Sequence, residues 1–89
     1  AVEYFNLGIA YMPMGRHREE IDSYLEAIRL NFNYAEAYFN LTMAYDNIGN
    51  GVEAINHARR AEILYTEQRK HRQVRKVRRQ LNILSEKYK

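Results

Sequence analysis

The sequence predicts an all-α helical repeat, and three observations carry that prediction. Ala1-Val-Glu-Tyr-Phe-Asn-Leu-Gly-Ile-Ala-Tyr11 returns 34 residues later as Ala35-Glu-Ala-Tyr-Phe-Asn-Leu-Thr-Met-Ala-Tyr45. Apolar residues inside each copy recur at helical spacing. The register then persists beyond the copied stretch, where Gly15 meets Gly49, Ile21 meets Ile55 and Ala27 meets Ala61. A period of roughly 20–50 residues marks a repeat architecture, in which each unit buries its apolar face against its neighbour.

In the first helix, Tyr4, Leu7, Ile9, Ala10, Tyr11 and Met14 give an amphipathic spacing over residues 2–14. Pro13 cannot donate to the carbonyl of Ile9 and crowds it, so the helix should kink or stop at Met12. Gly15 stands where a left-handed C-terminal cap is needed. The second helix is expected from Arg18 to Leu30, with Ile21, Tyr24, Leu25, Ala27 and Ile28 inward. Asn31 and Asn33 suit turn and N-cap duty. The third helix is expected over Ala35–Ile48, and Gly49-Asn-Gly51 ends it. The fourth runs over Val52–Tyr65. Short connections make each pair an antiparallel αα-hairpin.

From Val52 to Lys89 there is neither Gly nor Pro. The hydrophobic phase nevertheless breaks, because Tyr65 and Val74 would fall on opposite sides of one continuous helix. A turn is therefore expected near Thr66–His71, followed by a fifth helix with a seam at Val74, Val77, Leu81, Leu84 and Tyr88.

Composition excludes several classes. The chain has 89 residues and no cysteine, so neither disulfides nor thiolate metal sites contribute. It has no apolar run near the roughly 18 residues of a membrane span, and no signal-peptide pattern opens it. The default compartment is cytoplasmic, and the start on a repeat suggests a piece of a longer protein. The net charge of +3 divides unevenly: residues 1–51 carry three Arg against seven acids, residues 52–89 eleven Lys and Arg against four. His17, His57 and His71 lie far apart and read as surface residues. No catalytic constellation, metal site or phosphate loop is found, so neither an enzyme nor a cofactor is expected.

With this unit length and aromatic–Leu–Gly–Tyr spacing, the chain resembles the tetratricopeptide repeat family. The resemblance rests on Tyr4, Leu7, Gly8 and Tyr11, then Tyr38, Leu41, Thr42 and Tyr45, with Ala54, Ala58 and Ala61 against Glu20, Tyr24 and Ala27. It implies a right-handed α–α superhelix: repeat one over 1–34, repeat two over 35–68 and a basic capping helix over 69–89. Three departures stand out. Phe32 and Thr66 replace the family's proline. Gly8 and Glu20 become Thr42 and Ala54, as if a small residue had changed helices; Glu20 would lay its stem over Gly8 and carry its carboxylate to the edge. In strict register a third unit would also point Arg72, Arg75, Lys76 and Arg79 inward, so the fifth helix needs a shift of about two residues.

The resemblance places a partner-binding groove on the first helix of each unit: Val2, Phe5, Asn6, Ile9, Met12 and Pro13, with Glu36, Phe39, Asn40, Met43 and Asn47. Two Phe and two Met would form an adaptable apolar strip. The carboxylate clamp of some family members is ruled out, because neither first helix carries Lys or Arg before its turn. The expected function is a protein–protein interaction scaffold binding a partner peptide or helix. Two repeats fall short of the usual three, so self-association or domain swapping through the first helix is expected too. The alternative partner is nucleic acid or an anionic membrane, met by Arg69, Lys70, Arg72, Arg75, Lys76, Arg78 and Arg79.

Overall fold

The computed structural model describes residues 1–89 as five α-helices. Val2–Tyr11 (α1) passes through a 3-10 turn at Met12–Met14 to His17–Leu30 (α2). Ala35–Asn47 (α3) and Gly51–Glu67 (α4) form the second hairpin, and His71–Lys87 (α5) closes the chain. Each helix packs on its sequence neighbours. The radius of gyration is 12.2 Å, about what a compact globule of this length has.

Local chemistry accounts for the helix ends. The proline starts the 3-10 turn, so α1 ends at Tyr11, one residue earlier than expected. Gly15 then adopts φ 69°, and Arg16 N–H reaches back to the Tyr11 carbonyl at 3.4 Å. The turn recurs at Gly49, φ 79°, where Asn50 N–H meets Tyr45 O at 2.9 Å. It recurs again between α4 and α5, with Lys70 N–H on Tyr65 O at 2.9 Å. There the left-handed residue is Arg69, φ 57°, a conformation that glycine adopts without the Cβ penalty. Asn31 does serve its turn, accepting from Asn33 N–H at 3.2 Å. Helix α3 nevertheless starts behind Tyr34 with no side-chain cap, whereas Asn50 caps α4 through Glu53 N–H at 3.2 Å.

The turn at Gln68–Lys70 sets the register of the last helix. Helix α4 has 17 residues against 14 for α2, while the following link is one residue shorter. α5 therefore starts at position 71, 36 residues after α3 at position 35. That two-residue slip turns Val74, Val77 and Leu84 into the core and leaves the arginines outside.

Both ends of α5 are tied. Lys70 pairs with Glu36 at 3.4 Å, and Arg78 with Glu62 at 2.6 Å. At the far end Tyr88 O–H donates to Asp46 Oδ1 at 2.7 Å, and Lys87 reaches the same oxygen at 2.9 Å. The Lys87 hydrogen bond, reinforced by Tyr88, holds the Asp46 carboxyl below its usual range. The Tyr88 ring lies where a Cβ on Gly51 would stand, 2.2 Å away.

Two apolar clusters form the core. Ile21, Tyr24, Leu41 and Ala44 join the hairpins. Ala54, Ala58, Ala61, Leu64, Tyr65, Val74, Val77 and Leu84 join the second hairpin to α5. Leu41 is fully buried, but its counterpart Leu7 is 42% exposed and Tyr4 40%. This corrects the expectation that Tyr4 and Leu7 point inward: α2 covers Leu41, and no helix packs on the equivalent side of α1.

The size exchange between the repeats also differs from expectation. It is the Tyr24 ring, not the Glu20 stem, that occupies the space of a Gly8 Cβ, at 2.4 Å. Repeat two carries Thr42 and Ala58 at those register positions, both fully buried. The Thr42 hydroxyl is satisfied by the Tyr38 carbonyl at 3.0 Å. Each hairpin thus pairs one large residue with one small one, on opposite helices. Gly8→Thr alone should cost about 1–3 kcal/mol by overpacking, and Tyr24→Ala about 3–5 kcal/mol by leaving a cavity. Together they recreate the second hairpin's pairing. The double variant should lose less than the sum, with a coupling of roughly 0.5–3 kcal/mol, read from denaturant unfolding.

Candidate partner-binding groove

The first helices α1 and α3 lie on one side of the hairpins, with α2 between and beneath them. Where they diverge, a recess of about 180 Å³ opens, lined by Ile9, Met12, Glu20, Tyr24, Asn40, Met43 and Asn47. Ile9, Met12 and Met43 present exposed apolar rims, 38%, 47% and 39% accessible. The Tyr24 ring is held from below by Gly8 and from the side by Phe5, centroids 5.8 Å apart. Its hydroxyl accepts from Asn40 Nδ2 at 3.5 Å. Beside it lies Glu20, 2% exposed, with Oε1 3.0 Å from His17 Nδ1.

Burial, and next the Glu20 charge, push the Tyr24 phenol up to about 12. A negative charge beside a desolvated hydroxyl opposes a second one, so the phenol stays protonated and available for hydrogen bonding.

Of the residues assigned to the groove from sequence, the structure brings together Ile9, Met12, Asn40, Met43 and Asn47. It does not bring in the others. Val2 is exposed beyond the recess, and Asn6 and Pro13 are exposed without lining it. Phe5 is half-buried between Tyr24 and Tyr34, with centroid distances of 5.8 and 4.9 Å. Phe39 is half-buried against the second core cluster. Both Phe side chains are thus packing rather than an exposed strip: Phe5 against α2 and Tyr34, Phe39 against the cluster of the second hairpin and α5. Glu36 is engaged by Lys70.

Sequence reasoning missed Glu20 and Tyr24 as lining residues. Their signal was the second helix itself: a charged residue and a bulky aromatic at register positions that repeat two fills with Ala54 and Ala58. The surface reading of the histidines also needs correction. His17 engages Glu20, and His57 sits half-buried between Tyr38 and Tyr45, its Nδ1 2.8 Å from Glu53 O. The basic residues Arg69, Lys70, Arg72, Arg75, Lys76, Arg78 and Arg79 are all exposed, and of these Lys70 and Arg78 are spent on ion pairs within the fold. The fold gathers no three His, Asp or Glu side chains that could hold a metal, and no helix is long and apolar enough to cross a membrane.

The family model described as Tetratricopeptide repeat matches residues 4–34, the span of the first hairpin. A solved structure titled "Crystal structure of MamA" superposes with a TM-score of 0.65 at 24% identity, over 96% of this chain. Residues 4–34 are a tetratricopeptide repeat, and the chain as a whole has the fold of a tetratricopeptide solenoid. It spans 58% of the length of the MamA structure. Comparison with curated proteins gives no match. In this helical array the recess falls between the first helices of successive hairpins.

Tyr24 and Tyr65 share a consequence of burial, both phenols standing at about 12. A folded-state value above the ordinary one near 10 means that the folded chain holds these protons more tightly than the unfolded chain does. The associated stability is complete below about pH 10 and is lost as pH rises toward about 12, on the order of 2–3 kcal/mol per residue. In a spectroscopic titration these two tyrosines should ionise last, together with unfolding, and Tyr24→Phe should remove its share of the alkaline loss.

Proposed function

We propose that this chain is a protein–protein interaction module that grips a segment of a partner along α1 and α3, without chemistry of its own. One observation carries the reading. The recess between successive first helices keeps three apolar side chains exposed at its rim while polar groups line it, as sites for an inserted side chain do. Nothing nearby pairs a nucleophile with a base. The partner's segment would lie across the rim, with an apolar contact on each side and the amides of Asn40 and Asn47 for its polar groups.

The test is a set of peptides selected from a random library by the unaltered protein. Met12→Ala with Met43→Ala should weaken their binding roughly tenfold or more, as loss of central apolar contacts does. Arg75→Glu with Arg79→Glu should leave it unchanged. The opposite pattern, with binding that falls steeply as salt rises, would assign the function to the basic face of α5 and to a phosphate-bearing partner.

A second reading, self-association, is favoured by the uncovered face of α1. Leu7 stays exposed where Leu41 is covered by the preceding helix, and Tyr4 is exposed beside it. The contact would be this face rather than Phe5, which the fold already uses. Sedimentation should show a concentration-dependent dimer that Leu7→Glu abolishes. A monomer at high protein concentration would count against it.

A further inference from the structure

Glu20 is a charge that the hairpin does not need. The second hairpin has the same plan and places fully buried Ala54 at that register position. Burying a carboxylate is costly unless it is paired, and this chain is small enough for the cost to matter. Glu20 has no Lys or Arg partner, whereas Glu19, Glu26, Glu36, Asp46 and Glu62 each have one. It opens instead into the recess, where no Lys or Arg is among the lining residues.

The remaining polar groups point to the same ligand chemistry. Asn40 gives one amide N–H to the Tyr24 hydroxyl, and its carbonyl oxygen can accept. His17 occupies one Glu20 oxygen and the Tyr24 hydroxyl lies beside the carboxyl group, but a carboxylate accepts about four hydrogen bonds. The recess therefore offers a buried anion and amide acceptors behind an apolar rim. Its volume, about 180 Å³, compares with a ~150 Å³ cavity that holds one benzene. That is room for one long side chain, not for a helix.

We propose that the recess is a socket for a single lysine or arginine of the partner segment. The aliphatic stem would lie against Ile9, Met12 and Met43, and the cationic head would meet Glu20 and the amides of Asn40 and Asn47. This deepens the groove reading and rests on it. Long basic side chains suit such a site because their stems pack on apolar surface while their heads seek charge.

The test uses four small probes that share one alkyl chain: n-butylammonium, n-butylguanidinium, n-butanol and butyrate. Binding is followed by nuclear magnetic resonance at the side-chain amides of Asn40 and Asn47 and the methyls of Met12 and Met43. The cations should bind roughly tenfold more tightly than the alcohol, with butyrate weakest. Glu20→Gln should bring cation and alcohol to parity while a melting curve confirms the fold. The order of the probes on the unaltered protein decides the matter even if that variant unfolds. Alcohol or butyrate matching the cations, a cation preference that survives in folded Glu20→Gln, or no probe reaching these groups would each overturn the proposal. Library peptides that need Met12 and Met43 but show no preference for a basic residue would sink the socket and leave the groove standing. Peptides indifferent to both Met residues would sink the groove, whatever the small cations do.

Discussion

The Tyr24 ring seated on Gly8 is the contact on which the first half of the molecule depends. Without a Cβ at position 8, α1 and α2 approach closely enough for the ring to lie flat between them. Once seated, the ring makes one wall for Phe5, joins the cluster that binds the second hairpin through Leu41, and offers its hydroxyl to Asn40 on α3. Three helices are positioned by one side chain. The recess exists because the ring fills the hairpin from below while Glu20 and Asn40 stand beside it.

The fold was legible because it is written twice. Helical spacing, Gly15 with Gly49 and the broken phase between Tyr65 and Val74 each have a local physical cause, so five helices and their turns could be read from the chain. The register of the last helix followed from that broken phase together with charge, since arginines cannot enter a core unpaired. What the repeat concealed was position in the array. Leu7 and Leu41 look the same in sequence, yet burial depends on which helix stands alongside, and that is not a local property. The same blindness hid the fate of Phe5 and Phe39, which appear spare on the first helices and are taken up by Tyr24 with Tyr34 and by the second core cluster.

The site was half legible for a related reason. Residues on the first helices could be placed on a face by spacing, and Ile9, Met12, Asn40, Met43 and Asn47 do converge. Glu20 and Tyr24 belong to the second helix, which a rule about first helices ignores. Their clue was a departure between copies rather than a match. Glu20 stands over Ala54 and Tyr24 over Ala58 in the alignment; the second exchange is matched by Gly8 over Thr42, whereas the carboxyl group of Glu20 has no such packing counterpart. Local violations of a protein's own rules concentrate at functional sites.

The two ends of the array differ in kind, and that difference limits how copies can meet. Helix α5 closes one end with a face of exposed Arg and Lys, and its own ends are clamped by Glu36 and by Asp46 with Tyr88. The α1 end remains apolar. A head-to-tail stack would press the apolar Tyr4 and Leu7 onto the guanidinium groups of α5, with exposed Glu3 beside them. Two α1 faces, by contrast, are apolar on both sides and satisfy each other in a two-fold contact, which is closed and does not propagate. The two ends are thus unlike, and the recess opens on a different side of α1 and α3 from Tyr4 and Leu7.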